Sequence, residues 1–231
     1  MITRAALIDL FARQANRDWR PPDERHFPEK IAGDFYPSFA NIFSTFGTLS
    51  PAHVQYVVMG QDPYQQAVMV GSSGLTIPYA TGIAFDIDLR CLPYLPSAGL
   101  PTSLKRLLGH LGIAATPESS AIACFRQWLV RNRILMLNAA LTVPPATLGK
   151  AGAHEKYWRD FMIAIVRQCA EESPNAQYIA FGAVARNVME RALKGSRPVV
   201  ASYHPAAHDD GKSFGAFWAM TVGKELRSLS V

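Results

Sequence analysis

The sequence has few of the features that mark a membrane, secreted or metal-binding protein. No apolar run approaches the about 18 residues that suggest a transmembrane helix. Asp9 and Arg13 interrupt the only apolar segment near the N-terminus, which argues against a signal peptide. Cys91, Cys124 and Cys169 are scattered, odd in number and without metal-type spacing, so we interpret them as core residues in a reducing compartment. We therefore expect a cytoplasmic protein with no membrane partner.

Repeats, heptads, low-complexity tracts and domain-splitting linkers are also lacking. The 231 residues are 49% hydrophobic, which suits one well-packed domain and excludes a disordered chain. We expect a single domain over residues 1–231, with an N-terminal helical extension at 1–34 and a core at 35–229. Nothing in the sequence indicates oligomerisation, and a monomer is the expectation.

Positive charge is concentrated in the second half of the chain. Residues 1–100 contain 7 Lys and Arg against 9 Asp and Glu, whereas residues 101–231 contain 16 against 9. The two balances are −2 and +7. A basic half suits a polyanionic partner, because electrostatic attraction supplies most non-specific nucleic-acid binding.

Apolar strand-like runs alternate with helical patterns along the chain. Strands are predicted to end at Gly60, at Asn138, at Phe181 and near Tyr203. Helices are predicted over 2–19, 104–111, 155–172, from Gly182 to about 194, and over 214–229, with a short one beginning in 35–43. This alternation predicts a single-domain α/β fold with a central four-stranded, mainly parallel sheet and helices on both faces.

The segments between these elements carry turn residues. Residues 65–81 are rich in Gly, Ser and small side chains, and we interpret them as a long mobile loop of functional importance. Residues 82–86 are predicted to be extended. Ser103 is predicted to cap the helix at 104–111.

Polar residues follow three of the predicted strands, namely Asp62, Asn138 and His204. The carboxyl ends of parallel strands lie at one edge of the sheet, where α/β proteins bind ligands. An acid, an amide and an imidazole at that edge form a credible active site. The alternatives are that Asp62 binds loop amides, that Asn138 caps a turn and that His204 is a core histidine.

Seven segments, in chain order, resemble the motifs of one enzyme family. They are GQDPY at 60–64, GIAF at 82–85, PTSLK at 101–105, LMLNAALTV at 135–143, HEKYW at 154–158, FGA at 181–183 and SYHP at 202–205. Together they are similar to the motifs of family 1 uracil-DNA glycosylases, across about residues 35–229. The resemblance implies a base-excision repair hydrolase that flips uracil out of DNA and needs no metal or other cofactor.

The resemblance also implies a role for individual residues. Asp62 and His204 would be catalytic, the first by orienting water and the second by stabilising the departing uracil anion. The expected uracil-binding residues are Gln61, Tyr64, Phe85 and Asn138. The expected DNA-binding residues are Pro101, Ser103, Lys105, Arg106, Gly182, Ala183, His208 and Arg90. As an exposed basic pair, Lys105 and Arg106 could equally have no function.

The chain departs from the family pattern in places that face DNA. Gln65 stands where a histidine is usual, Ala183 replaces a serine, and the loop before Gly82 is longer. His208 occupies the position of a leucine that wedges into the DNA stack, and two acids follow it. We therefore expect the 65–81 loop, with Arg90, to supply DNA contacts instead, and DNA-mimic inhibitor proteins to bind poorly.

Two further functions remain open from the sequence. A glycosylase-like module could bind abasic or modified DNA without turnover, and an enzyme of the same chemistry could act on other uracil-like lesions. The substrate DNA could be single- or double-stranded. The cluster of His208, Asp209 and Asp210 is interpreted as solvated polar residues rather than a metal site.

Overall fold

The computed structural model describes residues 1–71, 74–97 and 99–207. Its strands are β1 Ile2–Thr3, β2 Lys30–Ile31, β3 Tyr56–Gly60, β4 Ala67–Val70, β5 Leu75–Pro78, β6 Ile134–Asn138, β7 Gln177–Phe181 and β8 Val199–Ser202. Its α-helices are α1 Arg4–Gln14, α2 Thr102–His110, α3 Ser119–Arg131, α4 Glu155–Glu172 and α5 Ala183–Leu193.

Four of the strands form the central sheet, in the order β6-β3-β7-β8. Every neighbouring pair in this sheet is parallel. In the β3–β6 pair the register places Gly60 opposite Asn138, so both strands end at the same level. The predicted four-stranded parallel sheet is confirmed, and with it the α/β fold class.

Alternate residues of these strands enter two separate hydrophobic clusters, one on each face of the sheet. Val57 and Met59 pack with α1, α4 and α5, whereas Val58 packs with α2 and α3. Strands buried on both faces must be apolar at almost every position, which explains the unbroken apolar runs in the sequence. The helices that cover both faces of the sheet therefore explain why its strands are apolar at almost every position, which is the pattern from which the sheet was predicted.

Helix boundaries agree with the sequence where the apolar period is long. Helix α4 and strand β7 have the predicted bounds, but α1 ends at Gln14 instead of residue 19. Only three-residue and four-residue 3-10 turns occur within 39–47, where a short helix was predicted. Helix α3 was not predicted. Its N-cap residue is Glu118, which is not one of the residue types that usually mark a helix start and which makes no side-chain capping bond. Its buried residues Ile122, Phe125 and Leu129 have the spacing that could have found it.

The prediction of a mobile loop at 65–81 is wrong. Strands β4 and β5 form an antiparallel hairpin, and Val68 and Ile77 face each other across it with about 7% exposure each. The Cys91 thiol points to the Ile77 carbonyl at 3.5 Å and joins the hairpin to the 3-10 helix Leu89–Tyr94. The segment is therefore a hairpin in which Val68 and Ile77 belong to the core.

Two smaller expectations lie outside the described residues or disagree with the structure. The helix predicted over 214–229 lies outside the described residues. Cys124 is exposed, so it is not the core residue that was expected, whereas Cys91 and Cys169 are buried. Within residues 1–71, 74–97 and 99–207, every helix is too short or too polar to cross a membrane.

Residues 82–86 are a tight turn instead of the predicted extended segment, and Gly82 makes this turn possible. Gly82 has φ +85°, and a Cβ there would overlap the Asn41 carbonyl oxygen. Gly33 also has a positive φ, of +76°, but a Cβ on it would meet nothing within 4 Å. Comparing substitutions at the two glycines therefore separates the cost of backbone strain, which both share, from the cost of steric overlap, which only Gly82 has.

Substitution of Gly82 by alanine should therefore destabilise the protein far more than Gly33→Ala. We expect a loss of about 1 kcal/mol in the free energy of unfolding for Gly33→Ala, and at least about 3 kcal/mol for Gly82→Ala, where backbone must also move. Urea denaturation monitored by circular dichroism measures both values. Equal losses would contradict the close approach at Asn41.

Candidate active site

A cavity of about 590 Å³ opens at the carboxyl edge of the sheet. It brings together residues that are far apart in the sequence but follow adjacent strands. Its lining includes all six residues expected to be catalytic or uracil-binding: Gln61, Asp62, Tyr64, Phe85, Asn138 and His204. Pro101, Ser103 and Lys105, three of the expected DNA-binding residues, also line it.

Gly60 forms the floor between the two groups expected to hold the base. A Cβ on Gly60 would lie 2.8 Å from Phe85 Cζ and 3.1 Å from Asn138 Oδ1. Both side chains therefore pack over the bare backbone at the end of β3. Phe85 itself has φ +61°, an unusual conformation for a bulky residue. Such strain persists only where the surrounding structure imposes it.

A buried ion pair beside Phe85 imposes this conformation, and it was not foreseen from the sequence. The Asp86 carboxylate, 1% exposed, accepts bonds from Arg126 Nε at 3.0 Å and Arg126 Nη2 at 2.9 Å. Thr81 Oγ1 donates to the same carboxylate at 2.7 Å. Burial raises the pKa of Asp86, and the Arg126 hydrogen bonds oppose that rise. One feature of the sequence could have indicated this ion pair, namely that Asp86 is an acid in an otherwise apolar turn, directly after Phe85.

Asp62 presents its two carboxylate oxygens to different surroundings. Oδ2 accepts hydrogen bonds from Gln61 Nε2 at 2.9 Å and from the Gly152 amide at 2.8 Å. Oδ1 is buried and makes no hydrogen bond to the described residues. Burial raises the pKa of Asp62, and the bonds from Gly152 and Gln61 act against that rise. One oxygen thus fixes the carboxylate, while the other has its hydrogen-bonding capacity unused among the described residues.

The loop that carries Gly152 is attached to the rest of the site by two sets of bonds. Gln65 Nε2 donates to the Pro144 carbonyl at 2.9 Å and to the Gly149 carbonyl at 3.1 Å. At the base of the loop, Thr142 Oγ1 accepts from Trp158 Nε1 at 2.7 Å and contacts His154 Nδ1 at 3.0 Å. Gln65 therefore holds in place the backbone that binds Asp62.

His204 follows the end of β8 by two residues and is half-buried. Burial lowers the pKa of His204 to about 4. Its Nδ1 atom accepts a hydrogen bond from the Ala206 amide at 3.1 Å, which leaves the ring proton on Nε2. The ring lies 5.7 Å from that of Phe85, centroid to centroid. His204 can therefore act as a neutral hydrogen-bond donor.

The expected cap residue Ser103 has a different partner from the one predicted. Helix α2 begins after Pro101, and Ser103 is a buried residue within its first turn. Its hydroxyl lies 3.1 Å from the Tyr64 hydroxyl. The prediction that Ser103 caps the helix is wrong, because the helix begins two residues earlier, at Thr102.

Three other expected DNA-binding residues, Arg106, Gly182 and Ala183, do not line the cavity but lie near the segment that carries His204. Arg106 donates to the carbonyls of Pro205 and Ala207, at 3.0 and 2.5 Å. Gly182, with φ +94°, precedes α5 and Ala183 begins it; a Cβ on Gly182 would lie 3.6 Å from His204 Cβ.

Arg90 is bound to Asp88 at 2.7 Å, which reduces its attraction for phosphate. His208, Asp209 and Asp210 lie outside the described residues. In the part of the chain that the structure describes, no group of three or more His, Cys, Asp or Glu could hold a metal ion.

A parallel sheet with a polar cavity at its carboxyl edge defines an α/β ligand-binding architecture, and comparison with known proteins makes it specific. No protein-family model matches the chain. Over 184 residues it is 28% identical to "Uracil-DNA glycosylase" of Streptococcus gordonii, covering 78% of this chain and 74% of that protein. It is 26% identical over 173 residues to "Probable uracil-DNA glycosylase" of Acanthamoeba polyphaga mimivirus. That match covers 75% of this chain but only 42% of the viral protein.

Solved structures have the same fold. The wild-type UNG of Nitratifractor salsuginis is similar with a TM-score of 0.63 and 23% identity, over 100% of both chains. The mimivirus uracil-DNA glycosylase has a TM-score of 0.55 and 25% identity, covering 74% of this chain and 56% of that one. The chain is thus similar in sequence and in fold to proteins named uracil-DNA glycosylase.

The burial and hydrogen bonding of His204 predict that its ring stays neutral down to acidic pH. In ¹⁵N-histidine NMR spectra we expect no protonation of His204 between pH 5.5 and 8, and a proton on Nε2. In denaturant the same ring should titrate near the ordinary value of about 6.5. A folded-state midpoint near neutrality, or a proton on Nδ1, would contradict this geometry.

Proposed function

We propose that this protein hydrolyses the N-glycosidic bond of uracil in DNA, releasing free uracil and leaving an abasic site. The observation that carries the proposal is the convergence of Asp62, Phe85, Asn138 and a neutral His204 on one cavity. The similarity to proteins named uracil-DNA glycosylase supports the same activity. A base must leave the helix stack to reach such a cavity, so the substrate is bound by base flipping.

Breaking this bond makes the sugar cationic and the leaving base anionic. Asp62 stabilises the sugar, and its Oδ1 atom orients the attacking water. The bonds from Gln61 and Gly152 hold the carboxylate in place, so little reorganisation is needed as charge develops.

His204 acts on the departing base. Its Nε2–H donates to uracil O2, where negative charge accumulates as the bond breaks. A neutral donor in a buried site stabilises that charge without transferring a proton. The Ala206 amide supports this role. Its N–H can donate to Nδ1 only when the ring proton of neutral His204 is on Nε2.

Recognition of uracil rests on three other side chains. The Asn138 amide pairs with N3–H and O4, and cytosine would leave this buried amide unpaired. Phe85 stacks on the flipped base, and Tyr64 occupies the space that the methyl group of thymine would need.

The test is release of free uracil from a uracil-containing oligonucleotide, in single-stranded and duplex form. Asp62→Asn and His204→Gln should lower the single-turnover rate by about 10²- to 10⁴-fold each. Asn138→Ala should lower it by a similar factor, since the lost bonds are made to the leaving base. Thr102→Ala, an exposed change on the same rim, should have little effect.

The pH dependence of the same rate separates the two catalytic groups. We expect an acid limb with a midpoint above the ordinary Asp pKa of about 3.9, because burial raises the pKa of Asp62 and the rate requires its ionised form. The limb should persist in His204→Gln. Folded wild-type protein that binds the oligonucleotide but releases no uracil would instead be an abasic- or modified-DNA binding module.

The β4–β5 hairpin is the second part of the proposal, as a DNA-contacting surface. Its base at Gln66 and Tyr79 lines the cavity, while Met69 and Leu75 are 70% and 57% exposed. Residues 63–85 contain no charged side chain, so nothing in this segment repels phosphate. Exposed apolar side chains beside a base-flipping site can pack on bases exposed by the flip.

Because Val68 and Ile77 belong to the core, the hairpin is tested by substitution and not by deletion. The double variant Met69→Ser, Leu75→Ser should weaken binding to duplex DNA with an abasic site by about 5-fold, roughly the loss of one apolar contact with a base. Val130→Ser, in the last turn of α3, 51% exposed and outside the cavity lining, is the control. Equal affinities for all three proteins would exclude the hairpin from the DNA interface.

Three expectations on partners and location accompany this proposal. The protein acts as a monomer in the cytoplasm. It binds DNA-mimic inhibitor proteins weakly, because acids follow position 208 in place of the usual loop. The mimivirus UNG variants Y322L and Y322F have been solved in complex with UGI. Inhibition of this protein by UGI should therefore be compared with inhibition of mimivirus UNG.

A further inference from the structure

The N-terminus of helix α2 lacks a local cap. Pro101 occupies the N-cap position and makes no side-chain capping bond. The first hydrogen bond of the helix runs from the Lys105 amide to the Pro101 carbonyl at 2.9 Å. The amides of the first turn, including that of Leu104, therefore need an acceptor from elsewhere. Leu104 is fully buried, so solvent cannot supply one readily.

Tyr64, four residues after the end of β3 and about forty residues earlier in the chain, supplies that acceptor. Its hydroxyl lies 3.1 Å from Ser103 Oγ, with Ser103 only 5% exposed. Burial raises the pKa of Tyr64, and hydrogen bonds from Ser103 and from the Leu104 amide oppose the rise. The phenol oxygen thus satisfies polar groups at the second and third positions of the helix, as a capping side chain normally does.

We propose that Tyr64 is the cap of helix α2, and that Ser103 is thereby a specificity-determining positioning residue of the uracil pocket. This inference rests on the proposed function, in which the Tyr64 ring excludes the methyl group of thymine. A ring held only by packing can turn aside for a methyl group. A ring whose hydroxyl is bonded to a helix N-terminus must break those bonds to do so, which leaves buried polar groups unpaired.

The same contact connects base selection to the DNA side of the protein. Helix α2 carries Lys105, which lines the cavity, and Arg106, which holds the carbonyls of Pro205 and Ala207 beside His204. A shift of Tyr64 would therefore be transmitted to the start of a helix that contacts both the cavity mouth and the His204 segment. Ser103 contributes to selectivity through Tyr64 and not by touching the base.

The experiment compares the affinities of two oligonucleotides, which differ only in the base at one site. One carries the 2′-fluoro analogue of deoxyuridine and the other its 5-methyl derivative; the fluorine slows glycosidic cleavage, so binding is measured without turnover. Wild-type protein should prefer the uracil analogue. Ser103→Ala and Tyr64→Phe should each narrow that preference by about 3- to 10-fold, the effect of losing one or two hydrogen bonds.

Two variants serve as controls. Ser103→Thr keeps the hydroxyl and should retain the wild-type preference. Tyr178→Phe makes the same chemical change as Tyr64→Phe at a buried tyrosine of β7 that does not line the cavity, and should leave the preference unchanged. In thermal melts, Tyr64→Phe should lower Tm by more than Tyr178→Phe, because the Tyr178 hydroxyl makes no hydrogen bond to the described residues and only Tyr64 caps a helix.

The outcomes separate this inference from the proposed function. Wild-type protein that neither releases uracil nor prefers the uracil analogue would overturn the proposed function. Wild-type protein that does both, with Ser103→Ala and Tyr64→Phe keeping its full preference, would overturn the inference alone. Equal losses of Tm in Tyr64→Phe and Tyr178→Phe would overturn the capping role.

Discussion

The site depends on the absence of a side chain at Gly60. This residue ends β3 at the centre of the carboxyl edge, and Phe85 and Asn138 both occupy the space that a Cβ would need. Any other residue would push the aromatic ring and the amide away from the strand end. The His204 ring, which lies against Phe85, would lose its packing surface as well. A bare strand end is thus the condition under which an aromatic ring, an amide and an imidazole can meet.

Around that floor, support comes from residues distant in sequence. Arg126 holds the turn of Phe85 through Asp86, Gly152 and Gln61 hold Asp62, and Ala206 fixes the ring proton of His204. Each bond constrains one functional group in one orientation. A site that is rigid before its ligand arrives spends less binding free energy on ordering its own side chains.

Sequence reasoning reached the sheet and the strand-end residues because both follow from local pattern. Strands buried on both faces read as apolar runs, and the polar residue after each run marks the edge of the sheet. The hairpin at 65–81 could not be reached in this way, because what orders it is packing of Val68 and Ile77 against residues beyond it in the chain. Likewise, nothing in the sequence around Asp86 indicates that its ion-pair partner is Arg126, which lies forty residues later.

The pairing of Gly60 with Asn138 in adjacent parallel strands has a consequence for how errors in folding would be detected. A slip of one residue would exchange the two faces of β6 and bring Leu137 or Ala139 to the position of the amide. Both faces of this sheet are apolar, so such a chain keeps its hydrophobic pattern, but its side chains no longer fit the two cores and the Asn138 amide enters an apolar layer. The register that aligns the site is therefore the same register that packs the cores, and a misaligned chain loses both function and stability.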